Sequence, residues 1–264
     1  MSLHQADLEL ILAAAREAGA LALKLRREGL TTEYKPGDSP VTNADLATDA
    51  LLTTRLRGAR PDYGWLSEET ADNTDRLAAT RTFVVDPIDG TRSFLKDKPW
   101  WSVCIAVVEA GRPIAAVVFA PDVDEAYAAT LGGGATLNGQ SITASARSIL
   151  EDCAMVGDQA MFDHPAWPTP WPAMRVASRN STAYRMCLVA GGAFDATTTL
   201  APKADWDLAA ADLIAVEAGA TCCDHKGRGF VYNRAIPQQP SLVCAAPGLV
   251  PLILERTSPI ELRR

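Results

Sequence analysis

No cluster of Lys and Arg in this chain is dense enough to form a nucleic-acid stripe, and 25 basic residues against 32 acidic ones leave a formal net charge of −7. A large polyanionic partner is therefore not expected, although a small anionic substrate is compatible with a bound cation that reverses the local sign. There is no uncharged apolar run of membrane-spanning length, so no membrane partner is expected. The opening Met1 to Asp7 lacks the pattern of a secretory leader, which makes the cytoplasm the expected location. No zinc-type Cys-x-x-Cys pair occurs among Cys104, Cys153, Cys187, Cys222, Cys223 and Cys244. Several of these lie in apolar runs and read as small buried thiols in a reducing compartment. Internal repeats and low-complexity tracts are also absent. What remains is 264 residues, 48% of them hydrophobic, enough for one large core or two packed subdomains.

The first third reads as helical. Leu8, Ile11, Leu12, Ala15, Ala18, Leu21, Ala22 and Leu25 share one face of a helix over about 6–27, with Gly29 as its stop. A polar loop is expected over 34–40. Thr42 with Asp45 three residues on fits a capping box, opening a second helix whose apolar face is Leu46, Leu51, Leu52 and Leu56. From Arg81 to Thr130 the signals turn to strand: 82–85, 103–108, 114–120 and 126–129, with a hairpin loop over 109–113. Turn residues over 132–139 mark a boundary. Beyond about Ile142, short strands such as 153–156 alternate with helical segments at 184–191 and 208–218, which suggests α/β layering. Pro165 to Pro172, with Trp167 and Trp171, has no periodicity and reads as a loop or lid.

The segment Asp86-Pro87-Ile88-Asp89-Gly90-Thr91 follows the apolar run Thr82 to Val85. Two carboxylates at a strand end point hard oxygen ligands at one spot, as Mg²⁺ requires. Gly90-Thr91-Arg92 offers backbone amides where a phosphate can sit if a helix begins there. A tight Asp-Gly turn is the alternative reading of the hexapeptide. Other placed carboxylates are Glu68-Glu69, which alone would be a solvated pair, and Asp205-Trp206-Asp207, where Asp207 would cap the helix that follows.

Taken in order, Lys35, Asp38-Ser39-Pro40-Val41-Thr42-x-x-Asp45, Ser67-Glu68-Glu69, Asp86-Pro87-Ile88-Asp89-Gly90-Thr91 and Trp206-Asp207-x-Ala209-Ala210 form a signature. It resembles the lithium-sensitive inositol monophosphatase superfamily, which includes inositol monophosphatases and 3′(2′),5′-bisphosphate nucleotidases. The resemblance extends to Gly134-Ala135-x-x-Asn138-Gly139 and Cys187-Leu188-Val189-Ala190-x-Gly192. It implies an α/β fold, an αβαβα sandwich of two subdomains with the active site between them. Residues 1–140 would carry most metal ligands, and residues 141–264 would carry Asp207 and the specificity residues. The resemblance further implies that Glu68, Asp86 and the carbonyl of Ile88 bind one metal and that Asp86, Asp89 and Asp207 bind a second, with a weaker third near Glu68. Asp45 and Thr91 would hold the attacking water, the amides of Gly90 and Thr91 would contact the phosphate, and Asp207 would also face the substrate.

Phosphate monoester hydrolysis needs an in-line water and neutralised phosphoryl and leaving oxygens, which two metal ions supply. The ion expected is Mg²⁺, since the site is all oxygen and His4, His164 and His225 lie outside the motifs, as surface or loop residues. For the substrate, family inositol phosphatases carry a Glu seven residues before the Trp-Asp aspartate; this chain has Leu200, which cannot accept hydrogen bonds from ring hydroxyls. The segments 38–42, 66–69 and 119–121, with Pro202, are similar to the bisphosphate nucleotidases. Arg185 stands where those enzymes tend to carry Lys, either to meet a second phosphate or as a surface ion-pair residue on an exposed helix face. The expected reaction is 3′-phosphoadenosine 5′-phosphate to AMP and phosphate. Inositol 1-phosphate, histidinol phosphate and fructose 1,6-bisphosphate stay open, as does a metal-binding regulatory pseudo-phosphatase, against which the intact acidic set argues. A homodimer is expected only by analogy with relatives.

Overall fold

The computed structural model describes residues 3–262; Met1 and Ser2, at the head of the segment read as lacking a leader, lie outside the described residues. The chain opens with α1 (Leu3–Glu28), which buries Ile11, Ala14, Ala15, Ala18 and Ala22. The expected loop over 34–40 is instead a hairpin, β1 (Thr32–Lys35) and β2 (Ser39–Thr42). Gly37 and Asp38 both take left-handed φ, which closes the turn in three residues. Helix α2 (Asn43–Ala59) has the expected capping box at Thr42 and Asp45. Its inward stripe is Ala44, Thr48, Leu52 and Leu56 at four-residue steps, which leaves Leu46 52% exposed, off the face assigned to it.

The first sheet comprises β3 (Gly64–Ser67), β4 (Arg81–Asp89), β5 (Ser102–Glu109), β6 (Arg112–Ala120), β7 (Glu125–Thr130), β8 (Ala135–Leu137) and β9 (Gln140–Ser141), in that spatial order. The pairing of β3 with β4 is parallel and the rest antiparallel. A short helix, α3 (Thr91–Phe94), follows β4. The second sheet orders β11 (Arg175–Ala177), β10 (Ala154–Val156), β12 (Ala196–Thr199), β16 (Leu242–Ala245) and β14 (Thr221–Cys223). Between these strands run α4 (Gln159–Phe162), α5 (Thr182–Ala190), the pair β13 (Lys203–Ala204) and β15 (Gln238–Gln239), and α6 (Asp205–Glu217). Helix α7 (Val250–Thr257) follows β16.

The central strands read as continuous apolar runs because both faces are covered. On β5, Val103, Ile105 and Val107 pack with α1 and α2, while Cys104, Ala106 and Val108 pack with α5 and α6. On β16, Leu242 and Cys244 join that same inner layer, and Val243 and Ala245 face Leu249 and Ile253 of the α7 side. The layers are therefore helix, sheet, helix, sheet, helix, the expected αβαβα sandwich. Five of the six cysteines are buried and Cys222 is half-buried. His225 lies in the turn after β14, a loop residue as expected, but it is buried, its Nδ1 2.7 Å from the Ser241 hydroxyl. Among the described residues, no helix is long and apolar enough to cross a membrane.

Candidate active site

Strand β4 continues through Asp86-Pro87-Ile88-Asp89, so the two carboxylates lie within the strand rather than in a turn beyond it. In a regular strand, residues three apart face opposite sides. Here Asp86 pairs with Cys104 and Asp89 with Ser102, three steps on β4 against two on β5. The extra residue is a bulge, and it reverses the side-chain phase. Ile88 accordingly packs with Phe83 and Val85 on the α1 and α2 side, leaving Asp89 on the side of Asp86. Gly90 ends the strand at φ +95°, where a Cβ would stand 3.0 Å from the Trp100 carbonyl oxygen. Only glycine fits that approach without strain.

Carboxylate oxygens of Asp86, Asp89 and Asp207 lie within 4.8 Å of one another. Asp207 arrives from α6, where it is the third helical residue and not the cap expected: the cap is Ala204, whose amide donates to Asp207 Oδ2 at 3.1 Å. Asp89 Oδ2 accepts the Ser181 hydroxyl at 2.6 Å and the Ala183 amide at 2.7 Å. Asp86 Oδ1 accepts the Ile88 amide at 3.0 Å, whereas its buried Oδ2 has no partner among the described residues. Burial, then the charges of Glu68, Asp89 and Asp207, hold the Asp86 carboxyl well above the usual carboxylate range. Burial, with Asp89 and Glu68 adding to it and Lys203 opposing, pushes Asp207 up to about 7. An orphaned buried oxygen inside a cluster of mutually repelling carboxylates is the chemistry a hard divalent cation satisfies.

Glu68 lines the same hollow of about 230 Å³ with Ile88, Gly90, Thr91, Arg92, Asn180 and Lys203, but it lies outside the tight trio. Lys35, at the end of the hairpin, holds it at 3.2 Å and Glu69 at 2.8 Å. The pair is thus not freely solvated. The turn carrying it is braced by Asp49 of α2, which accepts the hydroxyls of Ser67 at 2.5 Å and Thr70 at 2.7 Å. Burial raises the Glu68 carboxyl, with the Lys35 ammonium opposing.

Asp45 is buried and its Oδ2 accepts the Thr42 amide at 2.8 Å and hydroxyl at 2.5 Å. Its Oδ1 faces the Thr91 hydroxyl at 3.2 Å, which is also 3.1 Å from the Ile88 carbonyl oxygen. Burial raises the Asp45 carboxyl above its ordinary value. The sequence-predicted residues Glu68, Asp86, Ile88, Asp89, Gly90, Thr91 and Asp207 therefore line one hollow, and Asp45 stands behind it against Thr91. Arg185 does not lie on an exposed face. It is half-buried on α5, its Nη2 3.3 Å from Thr182 Oγ1 and its Nε buried without a partner. Burial lowers its pKa, while Asp89 and Asp207 are near enough to oppose that. Among the described residues it makes no ion pair.

Sequence reasoning assigned no role to Lys203, Asn180, Ser181, Asp49 or Lys35. Only Lys35 left a trace, as a member of the signature.

The profile of the inositol monophosphatase family matches residues 4–259. The chain belongs to that family. It is 31% identical over 262 residues to the Nus factor SuhB of Pasteurella multocida, covering 96% of each chain. To the 3′(2′),5′-bisphosphate nucleotidase CysQ of Salmonella typhimurium it is 31% identical, covering 86% of this chain and 94% of that one. The solved IMPase of Thermotoga maritima superposes with a TM-score of 0.83 at 24% identity, over 96% of this chain and 97% of that one, which speaks to the fold. Like the inositol monophosphatase family at large, this chain is a phosphatase, acting on small phosphorylated substrates. The family is generally metal-dependent, and the Asp86, Asp89 and Asp207 cluster is fit to hold metal.

Proposed function

We propose that this phosphatase is a Mg²⁺-dependent 3′(2′),5′-bisphosphate nucleotidase that converts 3′-phosphoadenosine 5′-phosphate to AMP and phosphate. The observation that carries this reading is Arg185: a guanidinium with no carboxylate partner among the described residues, near enough to Asp89 and Asp207 to feel their charge, with one nitrogen unsatisfied. A second phosphate on the substrate would supply the missing acceptor and the opposite charge. The likeness to CysQ supports the same substrate class.

Glu68, Asp86 and the Ile88 carbonyl would hold one Mg²⁺, and Asp86, Asp89 and Asp207 another, with a weaker site near Glu68. Bound there, the ions supply charge neutralisation at the phosphoryl group and a lowered pKa for the attacking water. Thr91 Oγ1 and Asp45 Oδ1 orient that water. Asp45, a stronger base than an exposed carboxylate, takes its proton as the water oxygen bonds phosphorus. The bond to the 3′ oxygen breaks, and that oxygen is protonated from solvent. The amides of Gly90 and Thr91 face the transferred phosphate, and Asp207 borders the leaving oxygen. Lithium sensitivity, a cytoplasmic location and a homodimer belong to this reading.

Initial rates on 3′-phosphoadenosine 5′-phosphate and inositol 1-phosphate at fixed Mg²⁺ test it, for wild type and Arg185→Ala. The bisphosphate should have the higher kcat/KM, and the variant should lose that advantage. A wild-type preference for inositol 1-phosphate would reverse the assignment. Equal loss on both substrates would make Arg185 structural.

A further inference from the structure

A second cavity, of about 280 Å³, is lined by Met161, His164, Ala166, Trp167, Leu200 and Ile260. We propose that it is the subsite for a planar heteroaromatic ring on the leaving group, the purine base of a nucleoside bisphosphate. This deepens the nucleotidase reading and rests on it.

Its position follows from the second sheet. Strands β10 and β12 are parallel neighbours, with Met155 opposite Ala196. The segments leaving their C-terminal ends therefore emerge on the same edge. One carries Met161 to Trp167 and the other carries Leu200. Ligands of α/β sheets bind outside such strand ends. Leu200 is three residues before Lys203, which lines the acidic hollow, so no more than about 11 Å of chain separates the two linings. A nucleoside bridges a gap of that order between phosphate and base.

The chemistry of the walls selects the ring. Trp167 Nε1 already donates to the Met161 carbonyl at 2.6 Å, so the indole offers its apolar surface and no free donor. Trp171 packs edge-to-face on Trp167 at 5.3 Å and on Phe162 at 5.0 Å, which stiffens the wall. His164 is the polar group of the lining. Its Nδ1 accepts the Ala166 amide at 3.2 Å, so in the neutral ring the proton sits on Nε2, a donor suited to an aromatic ring nitrogen. A polyol placed among Met161, Trp167, Leu200 and Ile260 would bury hydroxyls without partners, which is costly. An aromatic base buries apolar faces there and needs few hydrogen bonds. The Trp-rich segment thereby gains a role its sequence alone did not suggest.

The test compares adenosine 3′,5′-bisphosphate, ribose 3,5-bisphosphate lacking the base, and inositol 1-phosphate, with Mg²⁺ present. Wild type should show a kcat/KM at least about tenfold higher for the adenosine compound than for its base-free counterpart. Ala166→Trp fills the cavity from an exposed position, and it should bring that ratio close to one, chiefly through KM. Wild type treating the two bisphosphates alike would overturn the subsite and leave the nucleotidase reading standing. A preference for inositol 1-phosphate over both would overturn the two together. A ratio unchanged in a folded Ala166→Trp variant would also overturn the subsite. The wild-type comparison decides even if the variant does not fold.

Discussion

Asp89 on β4 and Ser181 at the start of α5 are joined by a 2.6 Å hydrogen bond across the two halves of the molecule. Ser181 is itself the cap of α5, its hydroxyl also accepting the Tyr184 amide at 2.9 Å. A carboxylate of the acidic cluster is thereby seated at a helix N-terminus, where the helix dipole favours its charge. One of its two oxygens is committed to that anchor and the other is left for a cation.

Asp89→Asn should therefore abolish phosphatase activity while the fold survives. Asparagine keeps an oxygen for the Ser181 and Ala183 donors but removes the charge. The expected loss in kcat/KM is at least about a hundredfold. Phosphate release together with a thermal melt checks it. Near-normal turnover by a folded variant would remove Asp89 from the metal set.

Thr91→Ala and Thr91→Ser separate hydroxyl from methyl. If the hydroxyl between Asp45 and Ile88 orients water, Thr91→Ala lowers kcat far more than it changes KM, and Thr91→Ser retains much of the rate. Equal damage from both would assign the effect to packing of the methyl group.

Chelation should stop turnover, and added Mg²⁺ should restore it and raise the melting temperature. A cation at one hundred times its Kd stabilises the protein by about 2.7 kcal/mol. An activity indifferent to a strong chelator would contradict metal dependence.

Asp212, on α6 away from the cluster, gives a pH signature of its own. Burial pushes its carboxyl up to about 6, although Tyr232 donates to it at 2.9 Å. The folded state binds this proton more tightly than the unfolded chain does. The resulting stability is fully present below about pH 4 and is lost as pH rises through about 6. Asp212→Asn keeps an acceptor for Tyr232 and cannot ionise. Its melting temperature should exceed that of wild type by a few degrees at pH 8 and match it at pH 4. Equal melting temperatures at pH 8 would disprove the shift.

Much of this was legible because local signals and the fold agree. Thr42 and Asp45 announced a capping box, the strands of 103–108 and 114–120 announced themselves by composition, and the acidic motifs fell into one hollow. Illegible features depend on partners distant in sequence. Nothing near Asp89 signals that Ser181 will hold it, nor does Lys35 signal its reach to Glu68, 33 residues on. Leu46 fitted the helical stripe by hydrophobicity, but the small Ala44 and Thr48 let α2 lie closer on the other side. The hairpin over 32–42 was hidden because its turn and its strands are both polar. A surface ion pair stayed open for Arg185 beside the substrate role, since its neighbours do not reveal that its helix lies between two sheets.

The bulge in β4 makes the site depend on counting as much as on composition. Inserting one residue between Pro87 and Ile88 would spare every acidic side chain, yet with the single bulge kept Asp89 would stand an odd number of ladder steps from Asp86 and swing toward the layer of α1 and α2. Phosphate release by such an insertion variant would show that something other than strand parity aims Asp89. Short of that, a relative could keep each acidic residue of the motif and still be catalytically silent through the gain of one residue that touches no metal.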